Sequence, residues 1–488
     1  MSCVFGDDWQ DKYFIWDCAA GTGNLLAGLK SKNNVWASTL DSSDVDVMKE
    51  RIKNGANLIE DHVFQFDFLN DDFSKLPVSL QDIISNEQKR KKLIIYINPP
   101  YAETMSHGVK HKAGLNQTMV NMKYQSQLGN CANRELFIQF LVRIYFEIPD
   151  CIIAIFSTLK LLNAPHFNNF RALFKAELKT LFLVPANTFD NVKGKFPVGF
   201  HIWDTGNKQT FKKITADVFN EDEQFAGNKT IICYDDKKFI NEWIVTTRNR
   251  PNENIIGFMA CLGNDFQQTN VNYIMNDKSQ MASPRGSWIT DKNFIEISIY
   301  FAVRHCIAAS WLNDRDQFLF PNNDWKNDIE FQNDCLTFTL FKNIIQSGHG
   351  VNHWIPFSEI EVNAKNKFKS SFMHDYINGR TYNFQEADLL TESKTIKKEA
   401  LQFSDEAKVV FNAGKKLWQY YHSQPAANEN ASLYDIKEFF QGRTDNGKMK
   451  SKSDNENYNE LIKELRQKIS VLAEKIQPKV YEYGFLAE

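Results

Sequence analysis

The chain lacks the usual marks of export and membrane insertion. Met1 to Tyr13 has neither a basic leader nor an apolar core, so it does not read as a signal peptide. No run of about 18 uncharged apolar residues occurs, so no membrane span is expected. The longest apolar-rich stretch, Phe294 to Leu312, contains Glu296 and Arg304 and reads as a buried helix. None of the 8 cysteines forms a C-x-x-C pair or sits at zinc-ligand spacing. That excludes a redox or zinc motif and predicts a reduced, cytoplasmic protein with mostly buried thiols. Charge of one sign is also missing: Lys+Arg number 57 against Asp+Glu 60, a net of −3. A uniformly basic nucleic-acid coat or polybasic tail is excluded; a local basic face is not. Glycine is sparse beside phenylalanine, 22 against 39, so the cores can be built largely from rings. No repeat with a period of about 20–50 residues is present.

What remains is an ordinary folded chain. At 488 residues it is long enough for two to four domains. Its 43% hydrophobic and 24% charged residues argue against wholesale disorder. Residues 1–205 alternate strand-like and helix-like segments. Tyr13 to Trp16, Val35 to Leu40, Val63 to Phe66, Leu93 to Ile97 and Cys151 to Phe156 read as strands, followed by Thr180 to Val184 and Gly199 to Trp203. Arg134 to Ile148 reads as a helix. Such alternation predicts an α/β, doubly wound, mostly parallel sheet. Ligands in such sheets sit at the carboxyl ends of strands, and the first four strands run into Asp17, Asp41, Asp67 and Asn98.

Residues 206–345 read as a mixed β-rich region, with Thr230 to Tyr234 and Leu336 to Phe341 as β-like runs and a helix from about Thr290 or Asp291 to Ser310. Residues 346–425 read as helical, with Ser404 as an N-cap. Residues 426–488 read as a linker and a last helix. Its apolar stripe, Tyr458, Ile462, Leu465, Ile469, Leu472 and Ile476, is a core face rather than a coiled coil.

Two constellations carry chemistry. Asp17-Cys18-Ala19-Ala20-Gly21-Thr22-Gly23-Asn24 follows a strand and precedes a predicted helix. Its glycines let the backbone approach a ligand, and Asp41, about 20 residues on, stands where an acid can bind ribose hydroxyls. Asp67 can accept from an adenine amino group, with Phe68 flanking the ring. The second is Ile97-Asn98-Pro99-Pro100-Tyr101. Two prolines force the chain out of the sheet as a rigid turn. That turn fixes two acceptors, the Asn98 amide oxygen and the Pro99 carbonyl, for one planar amino group. Tyr101 offers a ring for a base. An exocyclic amine is a poor nucleophile, so positioning and electrostatics must supply most of the catalysis.

Together DCAAGTGN and NPPY resemble the S-adenosylmethionine-dependent amino-methyltransferases, specifically N6-adenine DNA methyltransferases of the restriction–modification type in gamma motif order. The resemblance covers residues 14–205 and implies a Rossmann-like catalytic domain over 1–205 and target recognition over 206–425. It implies that Asp17, Ala19, Gly21 and Gly23 hold the methionine side of S-adenosylmethionine, Asp41 the ribose, and Asp67 with Phe68 the cofactor adenine. Asn98, Pro99, Pro100 and Tyr101 would hold a flipped adenine. Within Gly194 to Phe200, Phe196 would clasp that base from its other face, with Phe200 as the second candidate. The family's upstream cofactor motif has no counterpart in the 16 residues before Asp17, so an upstream segment or a partner subunit is expected to complete the pocket. Double-stranded DNA is the expected partner. A methyltransferase acting on an RNA base or a protein glutamine, and a non-catalytic DNA-specificity subunit or fragment, are the alternatives.

Candidate phosphate contacts are Lys89 to Lys92, Lys193 with Lys195, Lys212 with Lys213, Arg248 with Arg250, and Lys448, Lys450 and Lys452; they matter if they converge on one face. His107 to Lys112 reads as a flap or a plain loop. Asp388, Glu392 and Lys394, and His349 with His353, have nuclease-like or metal-like spacing, but no metal and no endonuclease are expected.

Overall fold

The computed structural model describes residues 1–100, 117–129, 135–189, 192, 194–248, 254–276, 285–342, 345, 347, 350–380 and 399–487. The chain forms two compact units, Met1–Asp236 and Lys237–Glu488.

Unit 1 is built on nine strands: β1 Phe14–Asp17, β2 Val35–Thr39, β3 Val63–Gln65, β4 Leu93–Ile97, β5 Ile152–Thr158, β6 Glu177–Pro185, β7 Pro197–Asp204, β8 Lys213–Phe219 and β9 Phe225–Ile232. Their order is β3-β2-β1-β4-β5-β7-β6-β8-β9. β1 pairs in parallel with β2 (Ile15 opposite Val35) and with β4 (Ile15 opposite Ile94). β3 and β5 extend the parallel set, while β7 is antiparallel to both β5 and β6.

The central strands are buried on both faces, which suits the unbroken apolar runs of β4 and β5. Neighbouring residues of one strand face opposite sides. Ile15 packs in a core cluster with Val45 and Met48 of α1 (Ser42–Lys53). Its neighbour Trp16 meets Phe68 at 5.5 Å, and Phe68 stacks on Phe140. Phe140 belongs to α3 (Leu136–Glu147), which follows α2 (Met119–Leu128). Helices therefore cover both faces, and the fold is the expected doubly wound α/β sheet.

Two features differ from expectation. The sheet continues past 205, because β8 pairs with β6 and returns as the hairpin partner β9, with Ala216 and Val218 buried. The glycine loop enters a 3-10 turn, Asn24–Leu26, rather than an α-helix. Gly28 and the polar Ser31 to Asn34 segment allow only a second 3-10 turn, Lys32–Asn34, and no α-helix before β2.

Unit 2 holds a small antiparallel sheet of β10 Ile255–Ala260, β11 Ile274–Met275 and β12 Gly286–Thr290, in the order β11-β10-β12. Helices α4 Phe294–His305, α5 Ile329–Phe341, α6 Asp405–His422, α7 Leu433–Gln441 and α8 Glu456–Glu482 share one large apolar core with it. This core runs across 345 and 425, so the three segments read from the sequence are one unit. The β-like run Leu336 to Phe341 is the end of α5. Asp328 caps that helix by accepting from the Phe331 N–H at 2.9 Å, and the helix is buried nearly all round, which erases its periodicity. Ser404 caps α6 as expected, accepting from Ala407 at 3.1 Å. The Tyr458-to-Ile476 stripe of α8 is buried as a core face. Among the described residues no helix is long and apolar enough to cross a membrane. The 7 described cysteines are free; Cys131 lies outside the described residues.

Candidate functional site

The chain leaves β1 toward β2 on one side and returns to β4 on the other. The loops after β1 and β4 therefore diverge, leaving a crevice at the carboxyl edge, where doubly wound sheets bind ligands. Asp17 is the last residue of β1 and Asn98 is the first after β4. Asp41 and Asp67 lie two residues beyond β2 and β3, on the same edge.

Asp17 is 1% exposed, and burial pushes its carboxyl up to about 7, partly offset by the Ala19 N–H that donates to Oδ1 at 3.0 Å. The Ala20 N–H donates to the Ser38 carbonyl at 2.9 Å and ties the loop to β2. Gly21 and Gly23 adopt φ of 52° and 81°. A side chain on Gly21 would meet open space, whereas a Cβ on Gly23 would stand 3.1 Å from Met48 Cγ. Gly21 thus leaves its backbone facing open space, while Gly23 lets the loop pack close against α1.

Asp41 is exposed at the start of α1 and makes no side-chain capping bond. Leu40 beside it is 60% exposed, an apolar surface next to a carboxylate. Asp67 is half-buried; its carboxylate accepts from the Leu69 N–H at 3.0 Å and the Asn70 amide at 2.7 Å. Phe68 turns away from the edge: it is 2% exposed, stacked on Phe140 at 5.1 Å and flanked by the Arg143 guanidinium. No face of its ring is left for a ligand. Arg143 holds this loop in place, donating to the Phe68 and Asp71 carbonyls and pairing with Glu147.

Asn98 is half-buried, Pro99 buried and Pro100 exposed. Tyr101, the His107 to Lys112 stretch, Lys193, Arg250, His349, Asp388, Glu392 and Lys394 lie outside the described residues. Because β7 runs antiparallel to β5, its start lies at the carboxyl edge; Thr158 pairs with Val198, and half-buried Phe196 stands two residues before it. Phe200 is instead 4% exposed in an aromatic cluster with Phe156 at 4.8 Å and Phe182 at 5.1 Å. Sequence reasoning missed Thr158. Its hydroxyl, at the carboxyl end of β5, is buried without a hydrogen-bond partner; a strand-ending threonine carries no signal until the neighbouring strands are known.

The basic clusters do not gather on one face of unit 1. Lys89 and Lys91 pair with Asp82 and Glu87, and Arg90 donates to the Ile84 and Pro149 carbonyls, all just before β4 at the amino edge. Lys213 starts β8 at that edge, while Lys195 pairs with Glu221. In unit 2, Arg248 donates to Ser287 and Gly286. His353 shares a hydrogen bond with Ser370. Among the described residues no three His, Cys, Asp or Glu side chains are placed to hold a metal.

No protein-family model and no curated protein matches the chain. Solved structures give partial likenesses. A type I restriction-modification system methyltransferase subunit from Streptococcus thermophilus matches at 17% identity and TM-score 0.32, over 44% of each chain. The ATP-dependent type ISP restriction-modification enzyme LlaBIII, bound to DNA, matches at 12% identity and TM-score 0.34, over 55% of this chain and 23% of that one. A protein from Pyrococcus horikoshii assigned as an RNA methyltransferase matches at 15% identity and TM-score 0.24, over 41% of this chain and 79% of that one. The match spans less than half of the streptococcal subunit.

Proposed function

We propose that the chain is an S-adenosylmethionine-dependent methyltransferase that modifies the N6 amino group of an adenine in double-stranded DNA. The observation that carries this reading is the placement of Asp17 and Asn98 at the ends of paired strands β1 and β4, on the two lips of the crevice.

The residues present suit that cofactor. A dinucleotide needs a helix N-terminus at its pyrophosphate. The glycine loop here enters only a 3-10 turn, and a buried carboxyl stands beside it. That favours a ligand without phosphates and with a positive charge. In this reading the bare backbone at Gly21 and Gly23, with Asp17 and Ala19, holds the methionine part. Asp41 takes the ribose hydroxyls and Leu40 lies along the nucleoside. Asp67 meets the adenine edge, without a ring contact from Phe68, which is buried against Phe140. Bound there, S-adenosylmethionine supplies an electrophilic methyl group.

Asn98 and the Pro99 carbonyl accept the two hydrogens of the target amine and aim its lone pair. Tyr101 and Phe196 hold the flipped base, since a stacked adenine cannot present its amine. Val4, Phe5 and Tyr13 line a cleft with Ile152 and Asp204 at the amino edge, away from the crevice. An upstream segment or partner subunit completing the pocket is part of this proposal.

The test supplies methyl-labelled S-adenosylmethionine and duplex DNA, followed by modified-base sequencing. Label on adenine N6 that disappears in Asn98→Ala is the expected result. Transfer only to RNA or to protein glutamine, or label unaffected by Asn98→Ala, overturns the reading.

A further inference from the structure

Unit 2 contains a cavity of about 600 Å³ between α4, α5, α7 and α8. Its walls are mostly apolar, with Phe338 and Phe341 from α5, Leu433 from α7 and Leu465 from α8. Two cations line it and a third stands close to both. Lys342 follows α5 one turn after Phe338 and lies 5.6 Å from that ring. Arg466 lines it from the middle of α8. Lys437 stands on α7 four residues after Leu433, hence on the same helical face.

Among the described residues none of the three forms an ion pair, and no carboxylate lines the cavity. Lys342 and Lys437 are half-buried, while Arg466 is exposed at the cavity mouth. Burial, then the charges of Arg466 and Lys342, hold Lys437 down to about 8; burial and Arg466 also lower Lys342, with the nearby Cys306 acting the other way. Like charges placed together, two of them partly withdrawn from water, destabilise the empty protein. The C-terminal dipole of α5 favours one cation at Lys342. It accounts for neither Lys437 nor Arg466.

We propose that this cavity binds a phosphate-bearing small molecule of mononucleotide size, with the phosphate on Lys342, Lys437 and Arg466 and the organic part against Phe338 and Phe341. An anion supplies the missing countercharge, and Arg suits phosphate through its forked donors. Thr269, Asn270 and Ser470 offer neutral hydrogen-bonding groups at the wall. The volume lies in the range of small-molecule sites, about 300–1,000 Å³. It is too large for inorganic phosphate alone and too small for a duplex.

The test uses the full chain, calorimetric titration and thermal unfolding. The probes are inorganic pyrophosphate, uridine 5′-monophosphate, uridine and a short DNA duplex. None of the small probes carries the adenosine that the crevice of unit 1 is proposed to take. Expected are binding and a raised unfolding temperature with pyrophosphate and the monophosphate, and neither with uridine. Lys342→Gln and Arg466→Gln each weaken monophosphate binding at least tenfold. The ligand-free variants unfold at the same or a higher temperature than the parent, because one of three like charges is gone. The proposal fails if neither small anion binds, if both variants bind the monophosphate as the parent does, or if only duplex binding responds to them. Methyl transfer plays no part in this readout, so its failure and that of the methyltransferase reading are distinguishable.

Discussion

Asp17 and Tyr96 stand on adjacent parallel strands, and the Asp17 charge adds to the burial that raises the Tyr96 phenol to about 12. Tyr96 in turn packs edge-on against Phe200, 6.0 Å away. The acid at the crevice is thus set into a largely aromatic, low-dielectric wall, and its protonation is sensitive to what binds beside it.

The first prediction concerns that acid. The folded state holds the Asp17 proton up to about pH 7, while the unfolded chain releases it near pH 3.9. The stability it contributes is complete below about pH 4 and is lost as pH rises to 7, at about 1.4 kcal/mol per unit. Asp17→Asn removes this slope. Denaturant unfolding at pH 4 to 8 should show the variant gaining on the parent toward pH 8; a constant difference refutes the assignment.

His201 acts in the opposite direction. Burial between strands lowers it to about 3, while Ser157 lies 3.2 Å from its Nε2. The unfolded chain takes up a proton near pH 6.5 that the folded chain refuses. Stability is therefore lost as pH falls from about 6.5 toward 3, again at about 1.4 kcal/mol per unit. His201→Gln should flatten the acid limb of unfolding relative to the parent, whatever fixed cost the substitution carries.

Asn98→Ala should lower methyl transfer by about 10²–10³-fold, the scale of losing one group that stabilises a transition state. Cofactor and DNA affinity should stay within about threefold by calorimetry and gel shift. Loss of both affinities would show a folding defect instead.

Gly23→Ala meets two obstacles, a φ of 81° and Met48 3.1 Å from the new Cβ. The strained backbone alone costs about 1–2 kcal/mol. A lower denaturation midpoint and at least tenfold weaker S-adenosylmethionine binding are expected. In a double-mutant cycle Met48→Ala, which by itself empties a fully buried core position, should cost less in the Gly23→Ala background than in the parent, because there it also relieves the contact.

Arg143→Met leaves the Phe68 and Asp71 carbonyls without their buried donor and frees the Asp67 loop. As a positioning residue it should raise KM for the cofactor several-fold while kcat changes little. Hydrogen exchange over residues 66–73 should rise in parallel; unchanged exchange would sink this role.

The sequence alone determined which residues reach the carboxyl edge, because strand-ending polar residues after apolar runs follow from local pattern. It also determined the Ser404 cap and the α8 stripe, since both are written in spacing over a few turns. Residues whose roles depend on partners far along the chain were not legible. Phe68 and Phe200 look like Phe196 in sequence, and only packing buries the first two. Leu336 to Phe341 is apolar on every side, so only tertiary burial decides helix over strand. The Lys89 to Lys92 run is sent to the amino edge by the parallel direction of β4. Lys342, Lys437 and Arg466 have no common motif at all. Their shared charge acquires meaning only where three helices bring it around one cavity, because electrostatic coupling depends on distance and desolvation, not on order in the chain.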